Sequence, residues 1–206
     1  TIPKLSSRNT LILYGDVPLL KKDTLLQLLD SNAPLSVLST QLQSPKGYGR
    51  LIRNQSGEIR KIVEEADASE EEKLISEVNT GIIFAETKLL KTWLPKIENN
   101  NAQSEYYLTD LIALAVAENQ NVKGVLAGSH TEVMGINTKA QLAQAERVLQ
   151  AERANALLVQ GVTIADPTRI DIRGNLNCAK DVFIDINCIF EGTVNLSTGV
   201  SIGANS

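Results

Sequence analysis

Residues 172 to 202 read IRGNLNCAKDVFIDINCIFEGTVNLSTGVSI, and apolar side chains return in them every six positions. One series consists of Ile172, Cys178, Ile184, Phe190, Leu196 and Ile202, and a second of Leu176, Val182, Cys188, Val194 and Val200. A six-residue period fits neither an α-helix nor an ordinary hairpin. It is typical of a parallel β-helix, in which each hexapeptide forms one flat side of a coil. The pattern predicts that such a β-helix begins within residues 161–206.

A long helix is predicted just before this stretch, over residues 139–160. Thr138 is a suitable N-cap, and Gly161 stands where a C′ glycine belongs. Leu142, Ala145, Val148, Leu149 and Ala156 recur at spacings of three and four, which gives the helix one apolar face. We expect it to connect two domains as a stiff linker.

The region before the helix, residues 1–138, alternates apolar runs with helical patterns. Strands are predicted over residues 9–14, 35–42, 50–53, 58–64, 79–85 and 122–127, and helices over residues 22–29, 87–97 and 104–119. The strands on either side of Asn54-Gln55-Ser56-Gly57 are expected to form a hairpin. Alternation of this kind predicts the α/β class, with a mainly parallel sheet covered by helices.

Composition limits the classes of function. The formal charge of −4 argues against a general nucleic-acid binder, which normally carries a basic face. Apolar runs are far shorter than the roughly 20 residues that span a bilayer, so no membrane partner is expected. The sequence has no recognisable export leader, and its two cysteines are too few for a disulfide framework. A cytoplasmic protein is therefore predicted.

Short polar motifs follow several of the predicted strands. In chain order they are Tyr14-Gly15-Asp16, Gly47-Tyr48-Gly49-Arg50, Val63-Glu64, Asn79-Thr80-Gly81, residues 101–110 (NAQSEYYLTD), Gly135-Ile136-Asn137 and residues 166–174 (DPTRIDIRG). Together with the hexapeptides, this succession resembles the family of bifunctional N-acetylglucosamine-1-phosphate uridyltransferases/glucosamine-1-phosphate acetyltransferases. The resemblance covers nearly the whole chain.

The resemblance implies a partial Rossmann-like nucleotidyltransferase domain over residues 1–138. That domain would join UTP to N-acetylglucosamine-1-phosphate, giving UDP-N-acetylglucosamine and pyrophosphate. The family's second domain is a left-handed β-helix that forms a homotrimer and acetylates glucosamine-1-phosphate from acetyl-CoA. By resemblance, Asp16 and Asn137 would hold Mg²⁺. Tyr14, Gly15 and Gly49 would line the sugar-nucleotide site, and Glu64 and Asn79 would bind the N-acetylglucosamine portion.

The proposed chemistry agrees with these residue types. A phosphate monoester has its second pKa near about 6, so the attacking oxygen is already largely ionised at neutral pH and needs no general base. Positioning two polyanions with the help of a divalent cation is the main requirement. Mg²⁺ takes one or two protein oxygens and completes its octahedron with water and phosphate. One carboxylate and one amide oxygen meet that need.

Simpler interpretations stay open for each residue. Asp16 precedes Val17-Pro18 and could be a turn residue, Glu64 could be a solvated strand end, and Asn137 could belong to a helix N-terminus. We expect His130 to be structural or solvent-facing, and Cys178 and Cys188 to point inward in the β-helix. Trp93 is expected in the core.

The chain also departs from the family pattern. The glycine-rich nucleotide loop and the uracil-reading segment of the family have no counterpart here, and the hexapeptides supply only about two coils. The chain alone is therefore expected not to turn over UTP, and acetyl-CoA concerns only the parent protein. Glu65-Ala66 and Met134 replace a usual lysine and a usual acidic residue. The alternatives are another sugar-1-phosphate nucleotidyltransferase with a β-helical tail, a hexapeptide acyltransferase, or a non-catalytic binding or oligomerisation module.

Overall fold

The computed structural model describes residues 4–206. The chain forms two compact units, of which the first ends at Gly135 and the second runs from Ile136 to Ser206. Among the described residues, no helix is both long enough and apolar enough to cross a bilayer.

Within its described residues, the first unit contains six strands and four helices. The strands are β1 (Asn9–Ile12), β2 (Leu35–Gln41), β3 (Arg50–Arg53), β4 (Ile59–Val63), β5 (Glu77–Glu86) and β6 (Val122–Leu126). The helices are α1 (Lys22–Leu29), α2 (Glu70–Lys73), α3 (Thr87–Trp93) and α4 (Asp110–Ala117), with 3₁₀ turns at Leu94–Lys96 and Thr131–Val133. The α/β class predicted from the sequence is confirmed.

The sheet is mixed, so the prediction of a mainly parallel sheet is wrong. Its strands follow the order β4-β3-β5-β2-β6, and β1 also pairs with β5. Strand β5 is antiparallel to β1, β2 and β3, and within the described part of this sheet only the pairing of β2 with β6 is parallel. Alternation along the sequence identifies the elements. It does not reveal that β5 enters the sheet between β1 and β2 in the reverse direction.

Strands β3 and β4 form the predicted antiparallel hairpin. The Asn54 side chain accepts hydrogen bonds from the backbone N–H groups of Ser56 and Glu58, at 3.0 and 2.9 Å, and Gly57 takes a positive φ of 82°. An asparagine that bonds its own turn and a glycine in the left-handed region are the features that such a connection requires.

Two apolar clusters cover the two faces of the sheet. Val37 and Ile83 pack with α3 and α4 in one cluster, whereas the neighbouring Leu38 and Ile82 pack with Leu28 of α1 in the other. Successive residues of a strand point to opposite faces, which explains the division. Trp93 is fully buried in the first cluster, as the sequence predicts.

Helix α4 is shorter than expected, because residues 104–109 are not helical. The Asn101 side chain accepts hydrogen bonds from the backbone N–H groups of Gln103 and Glu105, at 3.2 and 3.1 Å, and Ser104 has a φ of 55°. Local side-chain bonding of this kind competes with helix formation. It leaves residues 101–109 as an ordered loop that leads into α4.

The second unit begins with α5 (Lys139–Val159) and continues into short strands. They are β7 (Thr163–Ile164), β8 (Ile170–Cys178), β9 (Phe183–Ile184), β10 (Cys188–Leu196) and β11 (Ser201–Ile202), with a 3₁₀ turn at Pro167–Arg169. Thr138 caps α5 in a reciprocal capping box with Gln141, and Gly161 has a φ of 95° just after its end. Both predicted ends of the helix are confirmed.

In the second unit, β8 with β10 and β9 with β11 pair in parallel at an offset of 18 residues, whereas β7 pairs with β9 at an offset of 20, as in Ile164 with Ile184. Each residue of β8 faces the residue 18 positions later in β10, as in Ile172 with Phe190, and Ile184 of β9 faces Ile202 of β11. Ile172, Val182, Ile184, Cys188 and Phe190 are buried in one cluster, together with Ala154 and Leu157 of α5. Helix α5 therefore packs on the strands of its own unit and is more than a free connector.

Candidate functional site

The Tyr14-Gly15-Asp16 motif forms a turn just after β1. All three residues are exposed. Among the described residues, none is hydrogen-bonded to the Asp16 carboxylate, and a side chain added at Gly15 would meet nothing within 4 Å. The motif is therefore an open turn with a free carboxylate.

The turn lies against the Asn79-Thr80-Gly81 motif of β5. Because β1 and β5 are antiparallel and Ile12 faces Ile83, residues that follow β1 come beside residues that precede Ile83. A β-carbon added at Gly81 would stand 2.0 Å from Cε2 of Tyr14, so the tyrosine ring lies directly over this glycine. Gly81 also has a φ of 78° and donates its N–H to Oδ1 of Asn79, at 3.0 Å.

This part of β5 is irregular. The register between β2 and β5 shifts between Val37 and Ser39, opposite residues 80–82. The Thr80 hydroxyl donates to the carbonyl of Leu38 at 2.8 Å and so bridges the irregularity. Bulges of this kind re-aim side chains and are frequent beside functional sites.

Gly49 is the point where three predicted site residues meet. Its carbonyl accepts the backbone N–H of Asn79 at 2.8 Å. A β-carbon on Gly49 would stand 2.9 Å from Oε2 of Glu64, so the carboxylate packs directly against this glycine. The Thr109 hydroxyl donates to the other oxygen of Glu64 at 2.8 Å. We call Gly49, Glu64, Asn79 and Thr109 the strand junction.

A cleft of about 400 Å³ opens on one side of the strand junction. Its lining comes from β4, from the loop before α4 and from α4 itself: Lys61, Ile62, Val63, Glu64, Asp67, Glu98, Asn100, Asn101, Tyr107 and Asp110. Tyr107, Thr109 and Asp110 were not predicted as site residues, although they belong to the NAQSEYYLTD motif. Their position in the motif was the available signal.

The cleft is electrostatically negative. Burial, together with the charges of Glu64 and Asp67, raises the pKa of Asp110. Burial and the neighbouring carboxylates of Asp67, Glu64 and Glu105 raise the pKa of Tyr107, which keeps its phenol protonated. Acceptor oxygens predominate, so the cleft suits a ligand portion rich in hydroxyl and amide donors better than a phosphate.

Asn137 lies in the second unit, directly before the N-cap of α5. Its backbone N–H donates to Oε1 of Gln141 at 2.8 Å, while its side chain is exposed. No group of three or more His, Cys, Asp or Glu side chains placed to hold a metal ion occurs in residues 4–206. Asp16 and Asn137 thus belong to different compact units, and both side chains are exposed.

The histidine and the two cysteines of the chain occupy positions of the kind that the sequence predicts. His130 is exposed, as predicted. Cys188 is buried and Cys178 partly buried, both as free thiols, and burial raises the pKa of Cys178. These positions agree with the inward apolar role that the hexapeptide pattern predicts.

Curated relatives match nearly the whole chain. It is 51% identical over 195 residues to Bifunctional protein GlmU of Bordetella petrii, covering 94% of the chain and 43% of that protein. With the proteins of the same name from Janthinobacterium sp. and Nitrosospira multiformis the identity is 52%, over 99% and 96% of the chain and 46% and 44% of those proteins. The chain spans somewhat less than half the length of these relatives. No protein-family model matches it. The resemblance inferred from the ordered motifs is confirmed.

Proposed function

Because this chain is homologous to the bifunctional GlmU proteins along nearly all of its length, we propose that the protein to which it belongs transfers a uridylyl group. UTP and N-acetylglucosamine-1-phosphate are the proposed substrates, and UDP-N-acetylglucosamine and pyrophosphate the products. An oxygen of the sugar phosphate bonds to the α-phosphorus of UTP, the bond from that phosphorus to the departing pyrophosphate breaks, and pyrophosphate leaves.

The strand junction is the observation that carries this proposal. Gly49, Glu64 and Asn79 are far apart in the sequence, yet backbone bonding and close packing bring them together. Glu64 is held by Thr109 with its carboxylate beside an acidic cleft. Carboxylate and amide oxygens held in this way accept hydrogen bonds from sugar hydroxyls and an N-acetyl N–H. We assign the N-acetylglucosamine portion to this cleft.

The Tyr14-Gly15-Asp16 turn is proposed to contact the phosphate portion of the sugar nucleotide, next to the strand junction. Tyr14 packs on Gly81, whose N–H fixes the Asn79 side chain, so the turn and the junction are linked through β5. The exposed turn at Gly15 leaves room for a ligand to approach the backbone closely. Tyr14, Gly15 and Gly49 are proposed to line the sugar-nucleotide site.

Asp16 and Asn137 are the proposed Mg²⁺ ligands. Each offers an oxygen of the type that Mg²⁺ prefers, and in the described part of the chain neither side chain is engaged in another hydrogen bond. When bound, such an ion would neutralise part of the negative charge that gathers on the phosphates. The protein residues themselves would orient the sugar and exclude water around it.

The second unit is proposed to be the beginning of a left-handed parallel β-helix. The offset of 18 residues between β8 and β10 and between β9 and β11 equals three hexapeptides per coil, which supports this architecture. The step from β7 to β9 is two residues longer. In the parent protein, this domain is proposed to form a homotrimer and to acetylate glucosamine-1-phosphate from acetyl-CoA. The first unit corresponds to part of a Rossmann-like nucleotidyltransferase domain, and a cytoplasmic location is proposed with it.

Ligand-induced NMR shifts of the ¹⁵N-labelled chain test the proposal. UDP-N-acetylglucosamine, UDP-glucose and ADP-glucose are added separately, with and without Mg²⁺. We expect the amides of Gly49, Glu64 and Asn79 to shift most with the first of these, and Glu64→Gln to weaken that response. Glu71→Gln, which removes an exposed carboxylate outside the cleft, is the matched control. Equal responses to all three nucleotides, or none at these amides, would overturn the assignment.

A further inference from the structure

Arg50 is a buried cation directly after the strand-junction residue Gly49. Only 2% of its side chain is exposed, and its charge is met by Oε2 of Glu65 at 2.7 Å. The guanidinium also donates to the carbonyl of Tyr48, and at 3.4 Å to that of Lys73. Its Nε has no hydrogen-bond partner among the described residues. A buried charge with one ionic partner depends strongly on that partner.

The same oxygen of Glu65 also holds the loop that precedes Gly49. It accepts the backbone N–H of Gly47 at 3.2 Å, and Gly47 has a φ of 86°. The ion pair therefore binds two successive residues of the loop. Glu65 accepts the N–H of Gly47, and Arg50 donates to the carbonyl of Tyr48. The ion pair thus holds the turn before Gly49, together with the hydrogen bond from the N–H of Tyr48 to the carbonyl of Pro45 at 3.2 Å.

Glu64 and Glu65 thus have different surroundings although they are adjacent. Glu64 lines the cleft and accepts from Thr109, whereas Glu65 binds Arg50 and Gly47. Since Glu64 packs against the α-carbon of Gly49, a displacement of the loop that carries Gly49 would move this carboxylate as well.

We propose that the Arg50–Glu65 ion pair is a positioning device for the sugar side of the site, holding Gly49 and Glu64 in their binding geometry. This inference rests on the proposed function, because it assigns a role within the same site. The Glu65 carboxylate neutralises a buried arginine and anchors the loop.

The test compares the wild-type chain with Glu65→Gln, Arg50→Lys and the control Glu71→Gln. Glutamine keeps the size of Glu65 but removes the charge, and lysine keeps the charge of Arg50 but lacks the planar fork that reaches several acceptors. Two quantities are measured: amide hydrogen exchange at Gly47 and Gly49, and the dissociation constant for UDP-N-acetylglucosamine from NMR titration.

We expect Glu65→Gln to speed exchange at Gly47 and Gly49 about tenfold, leave the β5 amides unchanged and weaken binding of UDP-N-acetylglucosamine about tenfold, as for loss of a hydrogen bond to a charged group. Arg50→Lys should do the same, and Glu71→Gln should do neither. Wild-type affinity in Glu65→Gln would overturn the positioning role alone. A wild-type chain that gives no response to the nucleotide would overturn the proposed function, and the positioning role with it.

Discussion

The ring of Tyr14 lies over the α-carbon of Gly81, where a β-carbon would stand only 2.0 Å from Cε2 of the tyrosine. The contact joins the turn after β1 to the irregular segment of β5. Gly81 is required there for two reasons, because its φ of 78° also lies in the left-handed region. The packing of an exposed aromatic ring on this glycine connects two motifs through residues that are 67 positions apart in the sequence.

Gly81→Ala is expected to destabilise the first unit by about 2–4 kcal/mol. The left-handed backbone accounts for roughly 1–2 kcal/mol and the clash with Tyr14 for the rest, as in other overpacked sites. Chemical unfolding followed by Trp93 fluorescence measures the change. In a Tyr14→Ala background only the backbone part should remain, so the double-mutant cycle should show clear coupling. Additive effects would contradict the packing of Tyr14 on Gly81.

Gly49→Ala is expected to impair sugar binding and also to destabilise the first unit. The new β-carbon would stand 2.9 Å from Oε2 of Glu64 and 2.9 Å from Cγ2 of the buried Ile62, so it would displace the carboxylate and disturb the core. Displacing Glu64 from Thr109 should weaken binding of UDP-N-acetylglucosamine about tenfold, which corresponds to about 1.4 kcal/mol. Gly203→Ala, at a glycine with open space around it, serves as the control. Unchanged affinity in Gly49→Ala would remove Glu64 from the proposed sugar site.

The amide signal of Gly47 should titrate with a midpoint below 4.5, the ordinary pKa of glutamate. The hydrogen bond with Arg50 is the largest cause and lowers the pKa of Glu65. Burial, the next largest, opposes it, and the Gly47 N–H and the charges of Arg50 and Lys73 lower the pKa further. A carboxyl whose pKa is lower in the folded state stabilises the fold above its ordinary pKa. That contribution is lost as the pH falls through the lowered value. An NMR midpoint at or above 4.5 would contradict the ion pair.

Gln150→Ala is expected to destabilise the second unit by about 1–3 kcal/mol. The buried amide of Gln150 donates to the carbonyl of Ile172 at 3.0 Å and accepts its N–H at 2.8 Å, which closes the open side of β8. Arg153 also donates to that carbonyl, so the substitution leaves mainly the N–H unpaired. Hydrogen exchange of the β8 and β10 amides measures the loss.

Gln144→Ala is the control for this change, since Gln144 lies on the exposed side of the same helix. Its effect should stay within about 0.5 kcal/mol, as for other surface substitutions. Equal exchange rates in the two variants would show that the Gln150 amide does not protect the edge of β8.

Several elements could be predicted from the sequence because they depend on interactions between neighbouring residues. The hairpin at Asn54–Gly57, the cap at Thr138 and the glycine at Gly161 depend on bonds or dihedral angles within a few residues, and all three were predicted correctly. The start of α4 was not, because the Asn101 side chain bonds the following loop in place of a helical turn. Helical patterning alone does not reveal that competition.

The candidate site could be predicted only in part from the sequence. The motifs around Gly49, Glu64 and Asn79 were identified from their order, but Thr109 and the partner of Glu65 were not. A hydrogen bond between residues 45 positions apart, such as that of Thr109 with Glu64, leaves no periodicity in the sequence. The same holds for the ion pair of Glu65 with Arg50, whose partners are 15 positions apart in the sequence.

By itself the sequence determined the α/β class, the long helix, the inward hexapeptide positions and the family, because each depends on local pattern or on ordered motifs. Tertiary structure alone decided that β5 runs against its neighbours and that Tyr14 packs on Gly81. It also decided that the adjacent carboxylates Glu64 and Glu65 have different partners. Strand order and side-chain partners are set by long-range packing, whose free energy is shared among residues that the chain brings together only on folding.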